Sequence, residues 1–115
     1  MNKKLKTKLN KFLKFFTENK HLVGLDNYMI VLNGKFFIKN KTVMAEVDAD
    51  IFEKELYIKL NEIFLTNQLT KEKINNILMH ELVHARYRVF ELLCEQQTKF
   101  LEEDMINDLT NGLVR

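Results

Sequence analysis

Proline is absent from the 115 residues, glycine occurs three times and cysteine once. With no proline-rich linker, no internal repeat and no low-complexity tract, nothing divides the chain, and its length fits a single domain over residues 1–115 with one core. The lone Cys94 cannot form an internal disulfide, so no oxidising compartment is required and a cytoplasmic setting is the default. Long hydrophobic runs are missing too. Nowhere do ~18 uninterrupted apolar residues occur, and no transmembrane helix is expected. Leu5, Leu9, Phe12, Leu13, Phe15 and Phe16 are interleaved with lysines and so do not form the continuous apolar run of a signal peptide.

What is present is the balance of a globular protein: 46% hydrophobic and 30% charged residues, too apolar for a disordered chain. The formal charge of +2 conceals an asymmetry. Residues 1–20 carry seven lysines against Glu18, a net +6, while residues 21–70 and 71–115 each come to −2. A basic head of this kind can touch nucleic acid or an acidic partner. It is equally the solvent face of an ordinary amphipathic helix whose buried stripe is Leu5, Leu9, Phe12, Leu13 and Phe16.

The first segment reads as a helix over 3–19. Residues 28–33 and 35–39 flank Asn33-Gly34, a dipeptide that favours tight hairpin turns. Alternation over 42–48 (Val43, Ala45, Val47) and 55–60 (Leu56, Ile58, Leu60) adds two strands, giving a small sheet of three or four mostly antiparallel strands. From Thr70, an N-cap, a long helical pattern begins with Ile74, Ile77, Leu78, Leu82 and Ala85. After His84 neither glycine nor proline appears until Gly112. A break between this helix and a terminal one is expected somewhere in that interval, with the last helix ending at Asn111-Gly112.

His80 and His84 stand four residues apart in the helical segment, which places both imidazoles on one face, a turn from each other. At that separation two histidines can grip one tetrahedral zinc ion. Glu81 is adjacent and near the same face, so its carboxylate can serve as a general base toward water without being a ligand. By average residue usage the arrangement arises by chance in roughly one chain of this length in a few hundred. Catalytic zinc ordinarily takes three protein ligands, so a further one is needed.

The string Ile77-Leu78-Met79-His80-Glu81-Leu82-Val83-His84-Ala85 resembles the active-site helix of the zincins, and more narrowly of the short ImmA/IrrE-like metallopeptidases common in phages and mobile elements. The likeness covers about 28–113 in layout, with 77–85 as its specific part. It implies a zincin-like α+β fold: an N-terminal helix, a small mostly antiparallel sheet, a metal-binding active-site helix and a C-terminal helix. It also implies Zn2+ as cofactor, a protein or peptide substrate, and an edge strand along the cleft, for which 55–60 is the candidate by strand addition. Metzincins are excluded, since Tyr87 and Phe90 stand where their glycine and histidine belong. The Asn-Glu-x-x-Ser-Asp signature of thermolysin-like enzymes is missing as well.

Four downstream carboxylates compete as third ligand: Glu91, Glu95, Glu102 and Glu103. On an unbroken helix Glu91 lies ~10 Å past His84 and out of reach, so it requires an early turn. Glu95 and Glu102 share the face of Thr98, Met105 and Leu109, where a buried carboxylate needs a cation; Glu103 fits one way of laying the family pattern on the tail. Glu95 is the choice, completing a metal set of His80, His84 and Glu95 with Glu81 as catalytic base. Arg86, Tyr87 and Arg88 are candidates for holding an oxyanion or for simple surface packing. His21 reads as exposed or packed, and Cys94, beside Leu92 and Leu93, as a core thiol. The expected function is zinc-dependent hydrolysis of peptide bonds. The rival is a non-catalytic, metal-stabilised binding or regulatory module, nucleic-acid-associated through the basic head.

Overall fold

The computed structural model of the chain describes residues 3–36, 43–66 and 68–114, the side chains of 113 and 114 excepted. Helix α1 (Lys3–Asn19) buries Leu9, Phe12 and Phe16, positions spaced three and four apart that line one stripe, while its lysines face outward. A 3-10 turn, Lys20–Val23, comes next and ends at Gly24, whose φ of 72° needs a residue without a Cβ penalty. The Gly24 and Leu25 amides close this turn on the His21 and Lys20 carbonyls at 3.1 and 3.0 Å, which drops Leu25 into the core.

Among the described residues three strands form the sheet: β1 (Met29–Leu32), β2 (Ala45–Asp50) and β3 (Glu55–Leu60), in the order β1-β3-β2. Strand β3 pairs antiparallel with β2 and parallel with β1. The sheet is therefore mixed, and not mostly antiparallel as the Asn33-Gly34 dipeptide suggests. That dipeptide's second arm, 35–39, lies largely outside the described residues. The hairpin that is seen joins β2 to β3: Asp50 Oδ1 accepts from the amides of Phe52 and Glu53, both at 3.0 Å, and Lys54 turns through φ 54°. The register sets Ile30 and Ala49 beside Leu56, and Leu32 and Val47 beside Ile58, so one face is apolar and packs on the helices.

A buried side chain just past the end of β3 ties that strand's exit to the segment leading into β2. Asn61, with no solvent exposure, donates from Nδ2 to the Val43 carbonyl at 2.9 Å and accepts from the Ile63 amide at 3.0 Å. It thereby caps a 3-10 turn, Glu62–Leu65, whose Phe64 meets Phe12 edge-on at 5.7 Å.

Helix α2 (Lys71–Val114) begins where Thr70 Oγ1 accepts from the Lys73 amide at 3.2 Å. Leu78, Leu82, Ala85 and Val89 are its buried stripe. The expected pair of helices is one continuous helix of 44 residues, because no proline or glycine interrupts the hydrogen-bond ladder between Ala85 and Asn111. Its C-terminal end runs past the body, and the molecule extends 70 Å along one axis against 28 and 25 Å on the others. Cys94 is consequently exposed and not a core thiol. Among the described residues no helix is long and apolar enough to cross a membrane.

Replacing Asn61 by alanine removes the partners of two part-buried backbone groups, the Val43 carbonyl and the Ile63 amide, and should destabilise the fold by about 1–2 kcal/mol. Urea unfolding of wild type and variant measures this; an unchanged midpoint would show that the joint between β2 and the 3-10 turn contributes nothing.

Candidate metal centre

The rotational setting of α2 is fixed by its buried stripe. With Leu78, Leu82, Ala85 and Val89 turned to the sheet, Glu81 falls at the border of the core and His80 and His84 fall outside it. Exposure agrees with this order, with Glu81 at 7% and both histidines exposed. The Nε2 atoms of His80 and His84 face each other at 2.9 Å, with the rings 4.5 Å apart and nearly perpendicular, at 84°. One ring nitrogen donates to the other, the direction depending on the tautomer.

A tetrahedral zinc ion with bonds of 2.0–2.1 Å holds two such nitrogens about 3.3 Å apart. Opening the pair by a few tenths of an ångström takes small rotations of two exposed rings. As a donor set, two convergent neutral imidazoles suit zinc well. The cleft in front of them, about 410 Å³, is lined by Met44, Ala45 and Val47 on one side and by Glu81, Tyr87 and Glu91 on the other. Burial pushes the Glu81 carboxyl above its ordinary range, and the neighbouring His84 and His80 pull it back in part.

At the end of the cleft Arg88 Nε donates to Asp48 Oδ1 at 3.2 Å, fastening α2 to β2. Asp48 is held below the usual carboxylate range, first by the Ala49 amide that it accepts from and then by Arg88. Both partners are partly exposed, so the pair contributes at most about 1 kcal/mol. Only paired assignment of β2 and α2 reveals this contact, since nothing in the local sequence links positions 48 and 88.

The structure brings His80, Glu81 and His84 together and leaves the expected third ligand apart. Glu95 is eleven residues beyond His84 on a helix without a break, ~16 Å along the axis. It lines a separate groove with Asp50, Phe52, Lys99 and Glu103. Glu102 and Glu103 are exposed still farther along the helix. Glu91 alone of the four borders the histidine cleft. Among the described residues no three His, Cys, Asp or Glu side chains come close enough to hold an ion.

Other expectations shift as well. Strand β3 is central, with both edges occupied, so residues 55–60 cannot accept an added strand; among the described residues β2 is the outer strand on the side of the cleft. Tyr87 borders the cleft, whereas the Arg86 guanidinium lies over Gly24, 4.0 Å from where a Cβ would stand. His21 sits exposed in the turn after α1. Comparison with protein-family models, with curated proteins and with solved structures returns no match.

The raised Glu81 has a consequence for stability. Its folded-state pKa exceeds the ordinary 4.5, so the stability it confers is complete below that value and is lost as pH climbs through the folded one. At neutral pH the buried carboxylate opposes folding. With chelator present, Glu81→Gln should raise the unfolding midpoint at pH 7 and lose that advantage near pH 4. Denaturation across this range checks the sign; a variant less stable than wild type at pH 7 contradicts it.

Proposed function

We propose that the chain is a zinc-dependent peptidase of the zincin type, with His80 and His84 as metal ligands and Glu81 as general base. The observation that carries this reading is the meeting of the two Nε2 atoms at 2.9 Å at the mouth of a cleft whose inner wall holds a buried carboxylate. A pair of histidines serving only as surface residues has no need of a desolvated acid beside it, and burying that acid costs stability. The resemblance of residues 77–85 to the zincin active-site helix supports the same reading.

Zinc, when bound, supplies Lewis acidity that makes water a nucleophile near neutral pH and polarises the scissile carbonyl. The chain's own groups do the rest. Glu81 takes a proton on a carboxylate oxygen as water attacks, and returns it to the departing amine nitrogen, a task suited to a carboxyl whose pKa burial raises. The outer strand β2 offers backbone donors and acceptors to an extended peptide laid beside it. The apolar floor of Met44, Ala45 and Val47 meets the peptide's side chains. This shape suits a protein or peptide substrate, and a cytoplasmic setting agrees with a lone, unpaired cysteine. The second reading, a metal-stabilised binding module without turnover, is favoured by one observation, that the described residues supply only two close ligands.

Elemental analysis of the purified protein should find close to one zinc per chain, and alanine at His80 or His84 should remove it. Glu81→Gln should retain the metal and lower hydrolysis by ~10²–10⁴ or more. Wild type and variant are incubated with host-cell lysate, and new protein termini are compared by mass spectrometry. Cleavage by wild type alone supports the enzyme. Zinc without cleavage by either assigns the chain to the binding class, and no zinc uptake on titration ends the metal reading.

A further inference from the structure

We propose that the projecting half of α2 is an acidic docking helix that seats in a lysine-rimmed groove beside α1 of a second copy of the chain, two such contacts closing a twofold dimer. Beyond Leu93 the helix touches the body only along the side that borders the β2–β3 hairpin, as far as Glu103, yet it keeps large apolar side chains elsewhere. Leu101, Met105 and Leu109, spaced four apart and therefore on one face, are 63, 66 and 64% exposed. Glu102 and Asp108 flank this stripe. Over residues 91–112 six carboxylates stand against Lys99, a net −5. Packing two such tails on each other would set −5 against −5, so their partner has to be basic.

The chain carries the complementary surface. Lys3, Lys4, Lys8 and Lys11 rim a groove of about 850 Å³ over Leu5 and Leu65, where α1 meets the turn before α2. Lys8 is already held there, donating to the Leu65 carbonyl at 2.9 Å. A leucine floor with a cationic rim suits an acidic amphipathic helix: apolar stripe inward, carboxylates to the lysines, lysine stems covering the flanks. The lengths agree, the groove running along α1 from Lys3 to Lys11 and the stripe along α2 from Leu101 to Leu109, each ~12 Å. The leucine floor and the matching apolar stripe favour this occupant over a nucleic acid, which needs the charge but not the stripe.

Each chain offers one tail and one groove. An antiparallel pair satisfies both through identical contacts and closes, leaving no open end to grow. One helix-in-groove contact is small against the ~1,200–2,000 Å² of a stable interface, and the twofold arrangement doubles it. Attraction between exposed charges weakens with salt, so the dimer should loosen as ionic strength rises.

The test is a charge swap read by sedimentation equilibrium, with circular dichroism on every variant to separate loss of contact from loss of fold. Wild type at tens of micromolar and low salt should show twice the 13.8 kDa chain mass. Glu102→Lys/Asp108→Lys, and separately Lys3→Glu/Lys11→Glu, should each raise the dissociation constant about a hundredfold, since each brings like charges together. All four changes in one chain restore opposite charge and should restore the dimer. A wild type that stays monomeric overturns the proposal, as does a dimer indifferent to both reversals. Tight uptake of a labelled single-stranded oligonucleotide at physiological salt, abolished by Lys3→Glu/Lys11→Glu, would also overturn it and assign the groove to nucleic acid.

Discussion

The packing of the apolar stripe of α2 on the sheet, where its nearest strand is β2, is the contact on which the candidate centre depends. Leu78, Leu82, Ala85 and Val89 are all buried, and Leu56, Ile58 and Leu60 belong to the same core. Because side chains on a helix advance by a fixed rotation per residue, burying these four fixes the direction of every neighbour. Glu81 is carried to the edge of the core, where water is scarce. His80 and His84 are carried just beyond it, where an ion can arrive. The three roles in the candidate centre are thus consequences of one packing decision. A polar substitution in the stripe would rotate or loosen all three together, whereas a change at a histidine alters only the metal.

The sheet contributes the other wall, and its strand order matters more than its size. With β3 in the centre, covered on both edges, the core gains the buried side chains of Leu56, Ile58 and Leu60, and β2 is left along the cleft. Asn61 holds the start of β2 through the Val43 carbonyl, and Arg88 holds its middle through Asp48. The first anchor is buried and contributes stability; the second is exposed and mainly sets position.

Much of this architecture is legible in the chain where the signal is local. The lysine-interleaved stripe identifies α1, the Leu56-Ile58-Leu60 alternation gives β3 with its bounds, and Thr70 marks the start of α2. His80, Glu81 and His84 are readable as a unit because a single helical turn contains them. What escapes is whatever depends on distant pairing. Parallel pairing of β1 with β3 is decided by residues twenty-six apart, for which the Asn33-Gly34 signal is silent. The continuity of α2 is present in the sequence as an absence, the missing glycine and proline after His84. Expecting a break in that interval folds the tail back onto the body, and so misplaces Cys94 and the inward carboxylates.

That continuity links the metal centre to the surface chemistry of the tail. For Glu95 to join the histidines, the chain would have to reverse direction within the eleven residues after His84, giving up several main-chain hydrogen bonds of the helix. For the tail to dock on a second copy, the same residues must stay straight so that Leu101, Met105 and Leu109 share one face. Coordination by Glu95 and docking by the tail therefore exclude each other within one molecule. The physical chemistry of the segment favours the straight form, since good helix formers fill it and its acidic residues are solvated. An isolated helix of about twenty residues is marginal in water, however, and a face of exposed leucine and methionine draws it toward any surface that can cover it. Straightness and the need for cover together point to packing outside the parent body, with lysines as the natural frame.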